Sequence, residues 1–303
     1  MRHARHAVLA LALAVAPLPG GARAKAAPPK AAPALPTCGP LPEMLAARPW
    51  PDAERLHYDV DVMGAFAGKL VLVAQPATGP DATEVEVRAM AASNTFFSKV
   101  RNIRGRAASQ LDARTFLPRA YSEETREGPN ERSAQVRFER SGRGKAMSLE
   151  YTRNGRNGKK RFSHDHDAFD PLSAFYALRG MKLAEGQTIC FDAYGIRHHW
   201  RVSGKVRAKE VVKVPAGAFA AYHIEGRAYR VDDPARSREI HVWISADEQR
   251  LPLAAMGVMD LGLVRAQLTR TGGEADEELQ KAVASLGPNR PAAKAKSAAP
   301  RVR

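Results

Sequence analysis

The stretch Glu54–Gly64, ERLHYDVDVMG, decides the fold class because apolar and polar side chains alternate along it. Every second position is apolar, at Leu56, Tyr58, Val60 and Val62, and polar or charged residues lie between them. Successive side chains of a β-strand point to opposite faces of a sheet. The spacing therefore predicts a strand with one buried and one solvated face.

The same alternation recurs along most of the chain, in segments such as TEVEVRAMA, AQVRFERSG and MSLEYTRNG, and predicts about a dozen strands. Short turns rich in Gly, Asp or Pro join them, and RNGRNG carries two Asn-Gly pairs, the strongest short-range hairpin signal. Strands that follow one another directly pair as antiparallel neighbours. Because a long open sheet exposes edges that promote aggregation, we predict an antiparallel β-barrel or a strongly rolled half-barrel.

One short motif, His164–Gly180 (HDHDAFDPLSAFYALRG), breaks this pattern. Asp170 suits a helix N-cap, Pro171 the first helical position and Gly180 the terminator. A helix this short needs tertiary contacts to be stable. We therefore predict a helix held against the concave face of the sheet, either capping one barrel end or lining a ligand cavity.

The start of the chain predicts export. Arg2 and Arg5 precede the apolar run AVLALALAVAPL, and a small-x-small cleavage site follows at Ala22–Ala24. The run is shorter than the roughly 20 residues of a membrane-spanning helix. We interpret residues 1–24 as a signal peptide and expect the mature protein in the periplasm or cell envelope.

Composition divides the rest of the chain into three parts. Residues 25–49 are rich in Ala and Pro and predict an extended linker. Residues 50–287 predict a single β-barrel-like domain that includes a C-terminal helix, with its apolar stripe at Leu279, Ala282, Val283 and Leu286. Residues 288–303 predict a basic disordered tail.

The two cysteines, Cys38 and Cys190, are candidates for a disulfide, since the chain is predicted to reach an oxidising compartment. A bond closing so long a loop would contribute on the order of 4 kcal/mol. Two unpaired thiols are the alternative that the sequence leaves open.

Four blocks along the chain carry a resemblance to a known family: ERLHYDVDVMGAFAGKLVL, FDPLSAFYALRGMKLAEGQ, VPAGAFAAYHIEG and HVWISADEQRLPLAAM. Together they span about residues 54–256 and resemble the bacterial secreted family known as domain of unknown function 3108. The resemblance implies an envelope protein with a β-rich, barrel-like fold. It implies no activity.

Charge is the strongest compositional signal. The formal net charge is +15, and residues 99–161 contain 17 Lys and Arg against 7 Asp and Glu. Export argues against nucleic acid as the partner of this basic chain, so we expect an anionic envelope component such as a lipid, and peripheral membrane association is compatible with the charge. Arginine-rich but simply solvated strand faces are the alternative.

The sequence contains no residue set typical of a catalytic site, and no cofactor is predicted. His164 and His166 would share one face of an extended strand and are candidate metal ligands, although a polar loop before the helix also explains them. Candidates for lining a cavity are aromatic residues and one arginine, namely Phe175, Tyr176, Arg179, Trp200 and Trp243.

The favoured hypothesis is a non-catalytic envelope protein that binds a lipid-like or amphipathic anionic ligand in a β-barrel cavity. The first alternative is a scaffold or accessory factor of envelope assembly that binds a protein or a cell-wall polymer. The second is a metal-dependent hydrolase.

Overall fold

The computed structural model describes residues 34–75, 83–140, 144–259 and 262–287. Within them, fifteen strands form one sheet. The first eight are β1 (Arg55–Val62), β2 (Ala65–Ala74), β3 (Glu84–Ser93), β4 (Ile103–Asp112), β5 (Pro118–Glu127), β6 (Asn130–Glu139), β7 (Lys145–Arg153) and β8 (Arg156–His164). The others are β9 (Ala168–Phe169), β10 (Thr188–Gly195), β11 (His198–Val214), β12 (Gly217–Arg230), β13 (Asp233–Ser245), β14 (Pro252–Met259) and β15 (Gly262–Thr271).

The sheet is a nearly closed barrel, which confirms the predicted fold class. Strand β1 pairs with both β2 and β15, so the first and last strands of the domain are neighbours in the middle of the sheet. Neighbouring strands are antiparallel except for β9 and β10, which are parallel. The two edges approach each other where Lys160 Nζ of β8 donates to the carbonyl of Arg197 at 3.2 Å.

Alternate turns lie at the same end of the barrel because the strands are antiparallel. We call this end the rim. It comprises the turns β1–β2, β3–β4, β5–β6 and β7–β8 in one half of the sheet. In the other half it comprises β10–β11, β12–β13 and β14–β15, because Val62 of β1 lies opposite Val264 of β15.

Helix α1 (Pro171–Gly180) packs against β3, β4, β9 and β10. Asp170 is its N-cap: its carboxylate accepts bonds from Leu172 N and Ser173 N, and Ser173 Oγ accepts one from Asp170 N. Pro171 occupies the first helical position, where its missing N–H leaves no bond unmade. The signals that predicted this helix are therefore the ones that begin it.

Gly180 is needed for packing and is not a left-handed terminator. It is the last helical residue, and Met181 after it is extended. A Cβ atom at Gly180 would lie 2.1 Å from Cε2 of Phe116, which is fully buried against the helix. The helix ends at Gly180, as predicted, but glycine is needed there because of Phe116, a contact from a loop 64 positions earlier that local spacing does not report.

Residues 34–50, which we call the strap, lie against the barrel. Cys38 and Cys190 form a disulfide. Leu45 N donates to Gly180 O at 2.7 Å, and Trp50 is buried in the core. The structure thus differs from the linker prediction for 25–49 at residues 34–49, since the disulfide and the contact with α1 hold them. The predicted signal peptide, the rest of the linker and the predicted tail lie outside the described residues.

Helix α2 (Glu277–Ala284) follows β15 and packs across β3 and β4 on the face opposite α1. Leu279, Val283 and Leu286 are buried against Val71 and Val73. This is the amphipathic helix that the sequence predicted. Neither helix in the described residues has the length and apolar character needed to cross a membrane.

The Asp170 cap gives a pH prediction. Complete burial raises the pKa of Asp170 to about 6, despite hydrogen bonds from Ser109 and Ser173. The folded state therefore holds a proton more tightly than the unfolded state, and stability falls as pH rises from about 4 to about 6. Relative to an Asp170→Asn variant, we expect the free energy of unfolding of the parent to increase by up to about 3 kcal/mol between pH 7 and pH 4.

Urea unfolding of both proteins at several pH values measures this difference. Other titrating groups act on parent and variant equally and cancel. A difference that stays constant, or that grows as pH rises, would show that Asp170 is ionised throughout.

Candidate ligand-binding groove

A groove of about 1170 Å³ is lined mainly by strands β3–β8 and the end of α2. Its floor is formed by side chains on the face of the sheet that carries α2. These side chains lie directly opposite one another on neighbouring strands. One such row runs from β3 to β8 through Arg88, Ala108, Ser122, Gln135, Glu150 and Lys159. Alanine and serine in the middle of the row, with long side chains at its ends, leave depth in the centre.

The two sides of the groove differ in polarity. Val73, Met90, Val283 and Leu286 form an apolar side next to α2, and the β6–β8 side is polar and charged. The lining also includes small residues of the opposite sheet face, such as Ala107. An amphipathic molecule could therefore place its apolar part along α2 and its polar part over β6–β8.

The lining carries more cations than anions. On the α2-bearing face, five of the lining side chains are basic (Arg55, Arg88, Arg106, Arg126 and Lys159) and three are acidic (Glu124, Glu131 and Glu150), a difference of +2. Several of these charges are paired, for example Arg106 Nη2 with Glu124 Oε2 at 2.5 Å and Lys159 Nζ with Glu150 Oε1 at 2.8 Å. The Lys159–Glu150 pair is exposed, at 80% and 58%, and exposed pairs are worth little, so an anionic ligand can compete for Lys159.

Glu123 lies between two tyrosines. Tyr194 Oη donates to its Oε1 at 2.8 Å and Tyr121 Oη to its Oε2 at 3.0 Å. Burial raises the pKa of Glu123, and burial also raises the pKa of both tyrosines. Glu123 lies directly opposite Ala107, on the sheet face away from α2, so its carboxyl is held by the two tyrosines and does not point into the groove.

Two of the predicted cavity residues lie in the core around α1. Tyr176 and Arg179 are completely buried. Arg179 donates two bonds to the Glu54 carboxylate, at 2.6 and 2.8 Å, and two more to the carbonyls of Arg250 and Gln249. Phe175 packs beside this core and is partly buried. With its donors directed at protein acceptors, Arg179 is not available to an anionic ligand.

The two predicted tryptophans lie apart from α1 and from each other. Trp200 donates from Nε1 to the Gly195 carbonyl within its own hairpin. Trp243 stacks on His223, with ring centroids 4.6 Å apart, and donates to Glu210. The structure therefore does not bring the five predicted residues into one cavity.

The candidate metal ligands do not converge. His164 Nδ1 lies 2.7 Å from the backbone oxygen of His166, and the His164 ring faces His199 at 6.2 Å between centroids. Asp167 pairs with Lys145 at 2.8 Å. Within the described parts of the chain, no group of three His, Cys, Asp or Glu residues has the arrangement of a metal site.

These features define the class of the protein: a nearly closed, antiparallel β-barrel-like protein with an internal helix and an external groove. The chain belongs to the family described as protein of unknown function (DUF3108), whose model matches residues 57–269. Comparison with curated proteins gives no match.

A solved structure shares the fold. The β-barrel-like DUF1849 protein of Brucella abortus is similar at a TM-score of 0.53 and 9% identity, over 75% of this chain and 99% of that one. A Bacteroides fragilis protein provisionally described as exported, with a YmcC-like fold, is similar at a TM-score of 0.33 and 10% identity, over 74% and 98% of the two chains. A Parabacteroides distasonis protein provisionally described as a lipoprotein has a TM-score of 0.35 and 6% identity, over 75% and 99%. Of these three, the Brucella abortus protein has a TM-score above 0.5, and this similarity concerns the fold.

Proposed function

We propose that the protein is a non-catalytic cell-envelope protein that binds an amphipathic anionic ligand in the groove between α2 and β3–β8. The observation that carries this proposal is the polarity of the groove: an apolar side along α2, a polar side over β6–β8 and more cations than carboxylates. The predicted signal peptide supports the location.

The groove replaces the barrel interior as the expected site. Around α1 the interior is filled by large buried side chains, including Tyr176, Arg179 and Phe116. The groove volume slightly exceeds the range of typical small-molecule sites, about 300–1,000 Å³, and is therefore large enough for an acyl chain with its head group. Burial of the chain supplies affinity in proportion to its apolar area, and the arginines supply charge-assisted hydrogen bonds to the head group.

The test is mass spectrometry of lipids that copurify after gentle extraction of the protein from an envelope fraction. We expect an anionic amphipathic molecule bound to the parent and about tenfold less bound to an Arg88→Glu/Lys159→Glu variant, which loses two charge-assisted contacts. Both side chains are largely exposed, at 51% and 80%, so the fold should tolerate the change.

Arg236→Glu is the matched control, because Arg236 is also exposed and ion-paired, to Asp233, but lies outside the groove lining. It should retain the ligand. Absence of any such molecule from the parent, or equal amounts in all three proteins, would refute the proposal. Retention on isolated peptidoglycan instead would favour the scaffold alternative.

A further inference from the structure

Large exposed apolar side chains concentrate at the rim. Within the described residues, nine such side chains are exposed, and eight lie at or next to a rim turn. The eight are Met63, Phe66, Phe96, Val100, Ile196, Val258, Met259 and Leu263. The ninth, Val211, lies on β11 near the opposite end, three residues before that strand ends. Scattered exposed apolar residues are normal in soluble proteins, but a concentration at one end marks an interaction surface.

Seven of the eight form a continuous patch over three neighbouring turns. Met63 N of the β1–β2 turn donates to Leu263 O of β15 at 2.8 Å. On its other side, Asn94 of the β3–β4 turn donates through its Nδ2 to Phe66 O at 2.7 Å. Phe96 and Val100 follow in that turn, 75% and 82% exposed. The patch thus covers the β14–β15, β1–β2 and β3–β4 turns. Strands β15, β1, β2 and β3 of these turns are consecutive neighbours in the sheet.

Cations accompany this apolar patch along the rim. Lys99 lies within it, between Phe96 and Val100, and is exposed. At the β7–β8 turn, Arg153 and Arg156 lie opposite each other and are both exposed. No ion pair involves these three cations in the part of the chain that the structure describes.

Three carboxylates near the described part of the rim are ion-paired. Asp61 pairs with Arg265 at 2.8 Å, Asp232 with Arg230 at 2.7 Å, and Glu127 with Arg132 at 3.0 Å. Among the described residues, Lys99, Arg153 and Arg156 therefore give the rim a positive contribution that these carboxylates do not neutralise.

We propose that the rim is a docking surface for a lipid bilayer that contains anionic phospholipid. Apolar side chains on turns can enter the boundary between head groups and acyl chains, and adjacent Lys and Arg side chains are attracted to anionic head groups. The three hairpin turns project their apolar residues at one end of a rigid barrel, so these residues can reach a flat surface together. This inference does not depend on ligand binding in the groove.

Co-sedimentation with vesicles of phosphatidylglycerol and phosphatidylcholine tests the proposal. We expect the parent to bind mixed vesicles, and to bind pure phosphatidylcholine or high-salt samples more weakly, because salt screens the charges. A Met63→Ser/Phe96→Ser/Val100→Ser variant should bind about tenfold more weakly, since three apolar side chains no longer leave water. An Arg153→Glu/Arg156→Glu variant should lose the preference for phosphatidylglycerol.

Val211→Ser is the matched control, because Val211 and Met63 are both 71% exposed. It should bind vesicles like the parent. A parent protein that stays in the supernatant, or a triple rim variant that binds as well as the parent, would overturn the proposal. Light scattering provides the remaining outcome: a dimeric parent and a monomeric rim variant would show that the rim binds a second copy of the chain, which would also overturn it.

Discussion

Replacing Arg179 with methionine should lower the free energy of unfolding by about 3–5 kcal/mol, because it leaves the Glu54 carboxylate buried without its partner. Both side chains are almost inaccessible, at 0% and 6% exposure. The guanidinium also lies 4.8 Å from the ring centroid of Trp50 and 5.1 Å from that of Tyr176. Arg179 therefore joins α1 to Trp50 of the strap and to Glu54, the residue before β1, and its loss should loosen these contacts. Chemical denaturation measures the effect.

Two further variants separate the unpaired charge from lost packing. A Glu54→Leu/Arg179→Met double variant removes both charges and should regain much of the stability, since apolar replacements of buried ion pairs are often tolerated. Arg207→Met removes a cation from an exposed pair with Glu225 and should leave the unfolding midpoint nearly unchanged. A double variant as unstable as Arg179→Met would show that packing, and not the uncompensated charge, dominates.

Removing the disulfide with Cys38→Ser/Cys190→Ser should cost on the order of 4 kcal/mol. The bond joins residues 152 positions apart, so its loss increases the conformational freedom of the unfolded chain. The strap would then be held by noncovalent contacts, such as the bond from Leu45 N to Gly180 O and that from Lys182 N to Glu43 O at 2.8 Å. We expect faster cleavage within residues 34–49 by an added protease.

Comparison of the parent and the serine variant with and without a reducing agent checks this prediction. The reductant should destabilise the parent and leave the variant unaffected. A parent with the same unfolding midpoint in both conditions would show that the strap is held without the covalent bond.

The barrel could be predicted because its signal is local. Alternation at Leu56 and Tyr58 reports burial of one strand face whatever its neighbours are. Local turn signals were less reliable. Asn154-Gly155 forms the β7–β8 turn, with positive φ at both residues, but Asn157-Gly158 lies within β8. There Gly158 accommodates the ring of Tyr151, because a Cβ atom at 158 would lie 2.4 Å from Cζ of that ring.

The groove could not be predicted from the sequence, because it depends on the register of six strands. Ala108, Ser122 and Gln135 are ordinary residues in the chain and become neighbours only when β4, β5 and β6 pair. The sequence did contain one signal, the basic region 99–161. It indicated the half of the barrel that contains the groove, but not which side chains share a face.

Aromatic residues were poorer guides to a site. Tyr176 and Trp243 were grouped by residue type, but one is buried beside α1 and the other stacks on His223. The partner of Arg179 was also hidden, because Glu54 lies 125 positions earlier in the chain. Contacts at this separation follow from topology, which local periodicity does not determine.

The most direct test of the central claim is an experimental structure of the protein purified gently from cell envelopes. We predict elongated ligand density in the groove, with its apolar part beside Val283 and Leu286 and its anionic part near Lys159. A groove that holds only water, or a ligand bound at another place on the barrel, would contradict it.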